Sequence, residues 1–271
     1  MQELDGVIYL RPSEINIYLD NCQAQYFFAA VEKVKVPNKL PLALGTATHR
    51  AFQKNFSEKV HTLKDLPVTD VMDAFSDAFE DELSSVDETD LKDTDKGKIK
   101  DNGLGLIKKY QKEVSPRIVP IAVEQRIRTT FSDPDNPEEI YKYGLTGQID
   151  ITDVNNIIVD HKTTSNPKTF KKDVNESYKK QVGGAYVILK ESLGEEVKGV
   201  RVDMLKIDDV PGIRHINIDI DREHFLKMFF EASNGIDKGV FIPNRKSFLC
   251  TKRWCKFWNE CEKRYGGIVK E

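Results

Sequence analysis

Residues 149–164 read IDITDVNNIIVDHKTT, in which two apolar runs flank an Asn-Asn dipeptide. Such runs on either side of a turn dipeptide predict a β-hairpin, here with strands at residues 144–153 and 157–162. The register that closes the hairpin with a three-residue loop sets Asp150 directly opposite Asp160. Directly opposed residues in a sheet have Cβ atoms about 4.5–5.5 Å apart. The stretch therefore predicts a sheet that holds two acids side by side.

The two acids make a chemical demand on their surroundings. Two carboxylates at this distance repel one another unless a cation or a proton lies between them. A hard divalent cation such as Mg²⁺ is the natural partner of paired carboxylate oxygens. Lys162 lies two residues after Asp160, on the same face of the strand, and can stabilise an anion or orient a water. These groups suit phosphoryl transfer, although a D-x-K triplet is a short motif and a solvent-facing sheet edge with ordinary surface charges is the plain alternative.

The composition describes a chain that can bury a core. It has 271 residues, 39% of them hydrophobic and 31% charged, which fits one large domain. No apolar run approaches the roughly 18 residues of a membrane span, and the N-terminal sequence lacks the pattern of a secretory signal. We expect no membrane partner and a cytoplasmic location, or the host cytoplasm if a phage encodes the protein. The net charge of −3 by itself indicates no nucleic-acid partner, but basic residues crowd the stretch after Lys162 and the C-terminal tail.

The order of predicted elements indicates an α/β fold. Apolar residues at helical spacing predict helices over residues 13–26 (with Ser13 as N-cap), 45–56, 71–83, 104–114, 177–192 and 221–233. The predicted strands cover 119–131, 143–154, 156–164, 199–207 and 214–220. We expect a mixed central sheet flanked by helices. In a single domain of residues 1–271, the parts are a mainly helical segment (1–115), a sheet core (116–220), and a last helix with a cysteine-rich tail (221–271).

Further residues along the chain fit a known family. In chain order they are Gly45, His49, Glu124, Gly147, Asp150, Asp160, Lys162, Gln181 and Tyr186. Their order and spacing resemble the PD-(D/E)XK nucleases. More narrowly they resemble the RecB-type exonuclease branch, which includes AddB-type and CRISPR-adaptation nucleases. The resemblance spans residues 13–261 and implies a restriction-endonuclease-like fold.

The resemblance implies roles for these side chains. The metal would be held by Asp150, Asp160, the backbone carbonyl of His161, His49 and Glu124. The catalytic set would be Asp150, Asp160, Lys162, Glu124, Gln181 and Tyr186. Lys162 would position the attacking water or stabilise the transition state. The metal would be Mg²⁺ or Mn²⁺, because an imidazole ligand shifts the preference towards the softer ion.

Three of these residues have plain structural alternatives. His49 alone is typical of a partly buried polar residue on a helix. Glu124 shares a strand face with Arg126 and Arg128, so it could serve a structural salt bridge. Gln181 could be an exposed helix residue, and it precedes Tyr186 by one residue more than the family spacing.

The cysteines lie at the two ends of the chain: Cys22, then Cys250, Cys255 and Cys261. Three cysteines so close together in an intracellular chain indicate a metal site rather than disulfides, and Cys22 is the one thiol left to complete a set of four. The resemblance implies a 4Fe–4S cluster that joins the N- and C-terminal segments, with zinc as the lesser alternative. The final C-x5-C spacing fits that branch, whereas the C-x4-C before it is longer than the usual C-x2-C. Otherwise Cys22 is a plain core thiol.

Basic residues near the predicted site suit a polyanion. The candidate DNA-binding residues are Arg50, Lys54, Lys168, Lys171, Lys172, Lys179 and Lys180. Lysine contacts to phosphates are independent of base sequence, which suits a nuclease that processes any DNA. A solvated helix face is the plain alternative for these lysines.

The sequence thus predicts a metal-dependent DNA nuclease, an exonuclease that acts on DNA ends or single strands. Recombination, repair, phage DNA processing and CRISPR adaptation are the processes expected to supply its protein partners. A rival of another class is a non-catalytic DNA-end-binding or recruitment module that keeps the fold. The full set of Asp150, Asp160 and Lys162 argues against that rival, because binding alone does not need it. A nuclease for RNA is a third possibility.

Overall fold

A mixed β-sheet forms the centre of the protein. The structure, a computed structural model, describes residues 2–92, 94–174, 176–247, 249–252 and 254–266. Within these residues the strands are β1 (Gln2–Leu4), β2 (Val7–Leu10), β3 (Pro120–Thr129), β4 (Tyr143–Asp153), β5 (Ile157–Thr164), β6 (Gly199–Lys206) and β7 (Gly212–Ile218). Their order in the sheet is β1-β2-β4-β5-β6-β7, and β3 pairs with β4. The predicted α/β fold with a mixed sheet is confirmed.

Strand β4 has partners on both edges. Strand β3 runs antiparallel along one edge and pairs with residues 145–153. On the other edge, β2 runs parallel to residues 143–145 and β5 runs antiparallel to residues 151 and 152. Within the described part of the chain, residues 146–150 have no strand partner on this second edge. The sheet is therefore open beside Asp150.

The hairpin of β4 and β5 has the predicted register. The backbone pairs are Ile151 with Val159 and Thr152 with Ile158. The next pair in this register is Asp150 with Asp160, and the ladder ends before it, so the strands diverge where the two acids lie. The predicted opposition of the acids thus rests on a short ladder of two residue pairs.

The turn of this hairpin is held by Asp153. Its carboxylate accepts hydrogen bonds from the backbone N–H groups of Asn155 and Ile157, both at 2.9 Å. Asn156 adopts a φ of 57°, the left-handed conformation that completes a three-residue hairpin loop and that asparagine tolerates. The Asn-Asn dipeptide is therefore the local reason for the turn.

A second hairpin, β1–β2, lies in the segment expected to be mainly helical. Its turn is Asp5-Gly6, with φ values of 50° and 78°, as a type I′ hairpin turn requires. An Asp-Gly dipeptide beside the run Val7–Leu10 is a hairpin signal, but the strands are too short for a strong periodic pattern. Through β2 the hairpin joins the sheet at β4.

Eleven α-helices are formed by the described residues. They are α1 (Pro12–Asn16), α2 (Gln23–Tyr26), α3 (Leu40–Thr62), α4 (Val68–Leu83), α5 (Glu88–Leu91), α6 (Lys96–Glu113), α7 (Pro167–Lys171), α8 (Glu176–Lys180), α9 (Tyr186–Glu191), α10 (Arg222–Asp237) and α11 (Trp258–Tyr265). Three π-helical turns follow α1, α2 and α8, at Ile17–Asn21, Phe27–Val31 and Gln181–Ala185. None of these helices is long and apolar enough to cross a membrane.

The helix boundaries differ from the predicted ones for identifiable reasons. The first helix starts at Pro12 with Arg11 rather than Ser13 as its N-cap, because proline suits the first helical position. Helix α6 starts at Lys96 instead of near residue 104, because the Asp95 side chain accepts the N–H of Lys98. The tail, expected to be irregular, contains α11.

Apolar side chains pack on both faces of the sheet. The first core includes Ile158 and the fully buried Leu189 and Phe225 of α9 and α10. The second includes Val159 together with residues of α3, α4 and α6, among them Phe52. Neighbouring residues of β5 belong to different cores because side chains alternate along a strand. The acids of the hairpin therefore lie in a sheet that is covered on both sides.

Two glycines of α6 provide a matched test of this packing. A Cβ at Gly103 would lie 2.1 Å from the ring of Phe75, which is fully buried, whereas at Gly105 the nearest atom is 3.9 Å away. We predict that Gly103→Ala destabilises the fold by about 1–3 kcal/mol through overpacking. Gly105→Ala should stabilise it by up to about 1 kcal/mol through helix propensity. Denaturant unfolding measures both, and equal effects of the two variants would contradict the α4–α6 packing.

Candidate active site

Helix α3 brings His49 against Asp150. The imidazole Nδ1 lies 3.3 Å from a carboxylate oxygen of Asp150. One helical turn earlier, a Cβ at Gly45 would lie 3.2 Å from the hydroxyl of Thr163 on β5, so the glycine allows the helix to approach the sheet closely. The Gly-x-x-x-His pattern of the sequence therefore has a packing reason as well as a chemical one.

Asp150 fills the position where the ladder between β4 and β5 ends. Its carboxylate accepts the backbone N–H of His161 at 2.8 Å, and the His161 Nδ1 lies 3.5 Å from the same oxygen. Burial alone would raise the pKa of Asp150, but His49 and His161 outweigh burial and hold this pKa well below its ordinary value. Asp150 is therefore a fixed, ionised carboxylate inside the protein.

Asp160 differs from Asp150 in its surroundings. Its side chain is buried, and one carboxylate oxygen has no hydrogen-bond partner among the described residues. Burial first, and then the negative charge of Asp150, raise the pKa of Asp160 to about 7. A buried carboxylate oxygen without a partner is costly, so this atom is suited to bind a cation.

The donors around these acids fit a divalent metal ion. His49, Asp150 and His161 are the one group of three potential ligands among the described residues whose donor atoms all lie within 4.8 Å. The group offers two imidazoles and one carboxylate. Asp160 lies outside it, but one oxygen of Asp160 has no hydrogen-bond partner among the described residues and can add a second carboxylate. Carboxylates suit Mg²⁺ and Mn²⁺, and imidazole adds affinity for Mn²⁺. The residues present therefore fit the metal that the sequence predicted.

The side chain of His161 takes part in a way that the sequence analysis missed, since it considered only the backbone of this residue. The ring Nε2 lies 2.8 Å from the hydroxyl of Tyr110, which donates to Asp203 at 2.7 Å. Asp203 is fully buried and also accepts from Arg201 at 2.8 Å and contacts Nδ1 of His215 at 2.6 Å. A buried polar chain thus runs from Asp150 through α6 to β6 and β7, and orients the His161 ring.

Lys162 lies at the mouth of the site. It is exposed, and its ammonium group lies 4.3 Å from the ring centroid of Tyr178 on α8. Such a cation–π contact holds the lysine in place without neutralising its charge. Lys162 lies close enough to Asp160 for its charge to oppose the rise in the pKa of that carboxyl.

Glu124 on β3 lies beside Asp150 on the neighbouring strand β4. Its backbone is strained, with a φ of 49°. Its carboxylate accepts a hydrogen bond from Gln148. Arg126, the expected salt-bridge partner, donates to Gln148 instead at 2.8 Å. Burial and the nearby Asp150 raise the pKa of Glu124. Positive φ at a bulky residue often accompanies function, and Glu124 here adjoins the acid pair.

A π-helical turn explains the unusual spacing of Gln181 and Tyr186. The N–H of Tyr186 donates to the carbonyl of Gln181, five residues earlier, so the turn absorbs one additional residue. The Gln181 amide then donates to the Tyr186 hydroxyl at 3.1 Å. Burial, followed by the charges of Asp160 and Asp150, raises the pKa of Tyr186 well above its ordinary value. Both side chains are thus brought towards the acids despite the longer spacing.

The candidate DNA-binding residues divide into two groups. Arg50 is ion-paired with Glu82 at 2.9 Å and with Asp81 at 3.6 Å, and Lys179 is ion-paired with Asp173 and Glu176. The exposed ones are Lys54, Lys168, Lys171 and Lys172, and Lys180 is half-buried. The charges of Arg50 and Lys179 are thus partly neutralised within the protein.

The four cysteines line one pocket between the N-terminal helices and the tail. Apolar residues, among them Phe28 and Phe257, surround them. Burial raises the pKa of Cys250, Cys255 and Cys261. These sulfur atoms, all on described residues, include no group of three within 4.8 Å of one another. A zinc ion with four thiolates needs sulfur atoms about 3.8 Å apart, so the arrangement is wider than a zinc site.

The titration of the site predicts how metal binding depends on pH. Burial lowers and the carboxylates raise the pKa of His49, with a net value of about 9, while that of Asp160 is about 7. The protons bound to His49 and Asp160 favour the metal-free protein at low pH. This advantage of the metal-free protein is lost as the pH rises through each pKa. Binding must displace these protons, so we predict that Mg²⁺ affinity rises from about pH 6 to about pH 8.

Calorimetry in buffers of different ionisation enthalpy measures the protons released. At about pH 8 roughly one proton, from His49, should be released, and His49→Asn should abolish it. A Mg²⁺ affinity that does not change over this pH range would contradict these assignments.

Known proteins share sequence and fold features with this chain. The sequence profile of the PD-(D/E)XK nuclease superfamily matches residues 10–262. A solved structure from Eubacterium rectale, of a protein provisionally named an exonuclease, aligns with 100% of this chain and 96% of its own, with a TM-score of 0.55 and 11% identity. The structure of the protein SSO0001 aligns with 80% of this chain and 96% of its own, at a TM-score of 0.39 and 15% identity. No curated protein sequence matches the chain. The chain belongs to the PD-(D/E)XK nuclease superfamily, and its mixed sheet with flanking helices is consistent with the restriction-endonuclease-like fold.

Proposed function

We propose that the protein is a metal-dependent deoxyribonuclease, an exonuclease that acts on DNA ends or single strands. The observation that carries the proposal is the buried pair of Asp150 and Asp160. Asp150 is ionised and fixed, and one oxygen of Asp160 has no hydrogen-bond partner among the residues that the structure describes. A binding module gains nothing from such a pair, because an uncompensated buried carboxylate lowers stability. A hydrolase gains a metal site next to Lys162.

The residues of the site would divide the work as follows. Asp150, Asp160 and His49 would hold the metal, with the backbone carbonyl of His161 and Glu124 as further donors. A bound divalent ion lowers the pKa of its water and neutralises charge on the phosphate. Lys162, held over Tyr178, would orient the attacking water or stabilise the transition state.

The other polar groups would support this set. Gln148 holds Glu124 beside Asp150, and the hydrogen bond between Gln181 and Tyr186 lies on the side of Asp160. Each would fix the position of a neighbour rather than react itself, in keeping with the geometric precision that such sites need.

We also propose the finer placement within the superfamily. The chain would act as one RecB-type nuclease domain, in recombination, repair, phage DNA processing or CRISPR adaptation, with proteins of those processes as partners. The provisional name of the similar Eubacterium rectale protein agrees with an exonuclease. Exposed lysines such as Lys168 and Lys171 would contact DNA phosphates without regard to sequence.

A 4Fe–4S cluster on Cys22, Cys250, Cys255 and Cys261 is the second cofactor that we propose. Support comes from the meeting of all four thiols in one apolar pocket. Four thiolates suit either a 4Fe–4S cluster or a zinc ion, and the resemblance to the RecB-type branch favours the cluster. A reducing compartment such as the cytoplasm would keep the thiols available.

The nuclease proposal is tested by removing one acid or the lysine. We predict that Asp160→Ala and Lys162→Ala each lower the rate of linear DNA degradation about 100-fold or more in Mg²⁺ or Mn²⁺. Labels at the 5′ and 3′ ends of single- and double-stranded DNA report polarity and strand preference in the same assay.

The matched controls are Asp209→Ala and Lys227→Ala, which remove exposed charges elsewhere and should leave the rate unchanged. Unaltered cleavage by both site variants would refute the assignment. Tight binding of DNA ends by the wild-type protein without turnover in either metal would instead favour the recruitment module.

The cluster proposal predicts brown protein with broad visible absorption after purification without oxygen. Cys255→Ser should bleach the colour and lower the melting temperature, because the cluster closes a loop from residue 22 to residue 250, worth roughly 5 kcal/mol in unfolded-state entropy. Colourless wild-type protein with one zinc per chain would contradict it.

A further inference from the structure

A polar pocket adjoins the acid cluster on the side of the N-terminal hairpin. Its volume is about 330 Å³, and β1, β2, β3, β4 and the start of α1 form it. Three arginines line it, Arg11, Arg126 and Arg128, and Glu14 is the one acid among the lining residues. Three positive charges against one negative charge make the pocket a site for an anion.

Arg126 and Arg128 are held in place without being neutralised. The Nε of Arg126 donates to the side-chain oxygen of Gln148 at 2.8 Å, and Nη2 of Arg128 donates to that of Gln2 at 3.0 Å. The Arg128 guanidinium also lies 5.7 Å from the ring centroid of Tyr9. Both arginines are exposed. In the described part of the chain neither lies within 4 Å of a carboxylate, and the charge of Arg126 reaches Glu124 only from a longer distance, opposing the rise in the pKa of that carboxyl. Amide partners orient a guanidinium but leave its charge for a ligand.

The pocket is continuous with the candidate active site. Gln148, which holds Arg126, also donates to Glu124, the neighbour of Asp150. In the β3–β4 register, Arg126 lies opposite Gln148 and Arg128 opposite Thr146, two and four residues from Asp150 along β4. Because strand residues rise about 3.4 Å each, Arg126 and Arg128 lie about 7 Å and about 14 Å from Asp150 along the strand direction.

We propose that this pocket binds successive phosphates of one nucleic-acid strand next to the phosphate that is cut. The inference rests on the proposed nuclease function and specifies the strand path. Guanidinium groups bind phosphate oxygens through paired N–H donors. Their spacing is on the order of the separation between neighbouring phosphates of one strand. A pocket of this volume accommodates about one nucleotide and excludes a duplex, so the ligand is a single strand.

The test measures the binding of a fluorescein-labelled oligothymidylate in EDTA at several salt concentrations. Arg126→Gln and Arg128→Gln should each weaken binding about tenfold. Each should also reduce the slope of log K against log salt by about 0.7, the value for one lost phosphate contact to a single strand. The matched control is Arg117→Gln, which removes an exposed arginine in the 3₁₀ turn Ser115–Arg117 before β3. The strand residues 120–126 alone span about 20 Å between this turn and Arg126. It should change neither quantity.

Two further arms identify the ligand. A blunt duplex should bind with little dependence on either arginine. Inorganic phosphate should compete only weakly with the oligonucleotide, because the strand makes several contacts. Oligonucleotide binding and salt slope that stay at wild-type values in correctly folded arginine variants, as judged by melting temperature, would overturn the inference. Arginine-dependent binding of inorganic phosphate alone would do so too.

The outcomes separate this inference from the nuclease proposal. If the wild-type protein binds the strand through Arg126 and Arg128 but cleaves no DNA in Mg²⁺ or Mn²⁺, the pocket stands and the nuclease proposal fails. If it cleaves DNA and both variants bind the strand as the wild type does, the nuclease proposal stands and the pocket fails.

Discussion

The hydrogen bond from the His161 N–H to the Asp150 carboxylate is the contact on which the site depends. It lies where β4 and β5 stop pairing. There the carboxylate accepts the His161 N–H, which a backbone carbonyl would accept if the ladder continued. Because the bond fixes Asp150 inside the sheet, the register sets Asp160 opposite it. The geometry of the two acids is therefore a consequence of backbone pairing rather than of flexible loops.

The fold is unfavourable at this point if no cation is present. Asp160 is buried, one of its oxygens has no hydrogen-bond partner in the described part of the chain, and the charge of Asp150 opposes its ionisation. Such groups lower stability unless something compensates them, and they are retained where function requires it. Contacts around the acids oppose this cost: Tyr110 and Asp203 hold the His161 ring through hydrogen bonds, and α3 brings His49 against Asp150. The strained backbone of Glu124, with its positive φ, is a second unfavourable feature next to the acids.

Local patterns of the sequence were sufficient for the hairpin and for the central acids. The Asn-Asn turn, the alternation along β4 and the apolar run before Asp160 each specify backbone geometry over a few residues, so the register could be derived. The place of His49 beside the acids was implied by the family resemblance rather than by a local pattern. Contacts between distant segments could not be derived in this way. Tyr110 and Asp203 are 93 residues apart, and nothing near either of them indicates the other. At the π-helical turn between Gln181 and Tyr186, Gly183 and Gly184 closely approach residues 218–225, a contact between segments that no local propensity contains. The arginine pocket needs the β1–β2 hairpin, whose strands are too short for a periodic signal.

The central claim is that the buried acids form a divalent metal site. Anomalous diffraction from crystals soaked in Mn²⁺ tests it most directly, because the signal locates the ion without reference to activity. The account predicts a manganese peak in contact with the carboxylates of Asp150 and Asp160 and the imidazole of His49. Strong peaks at other positions, with none between these three side chains, would contradict it.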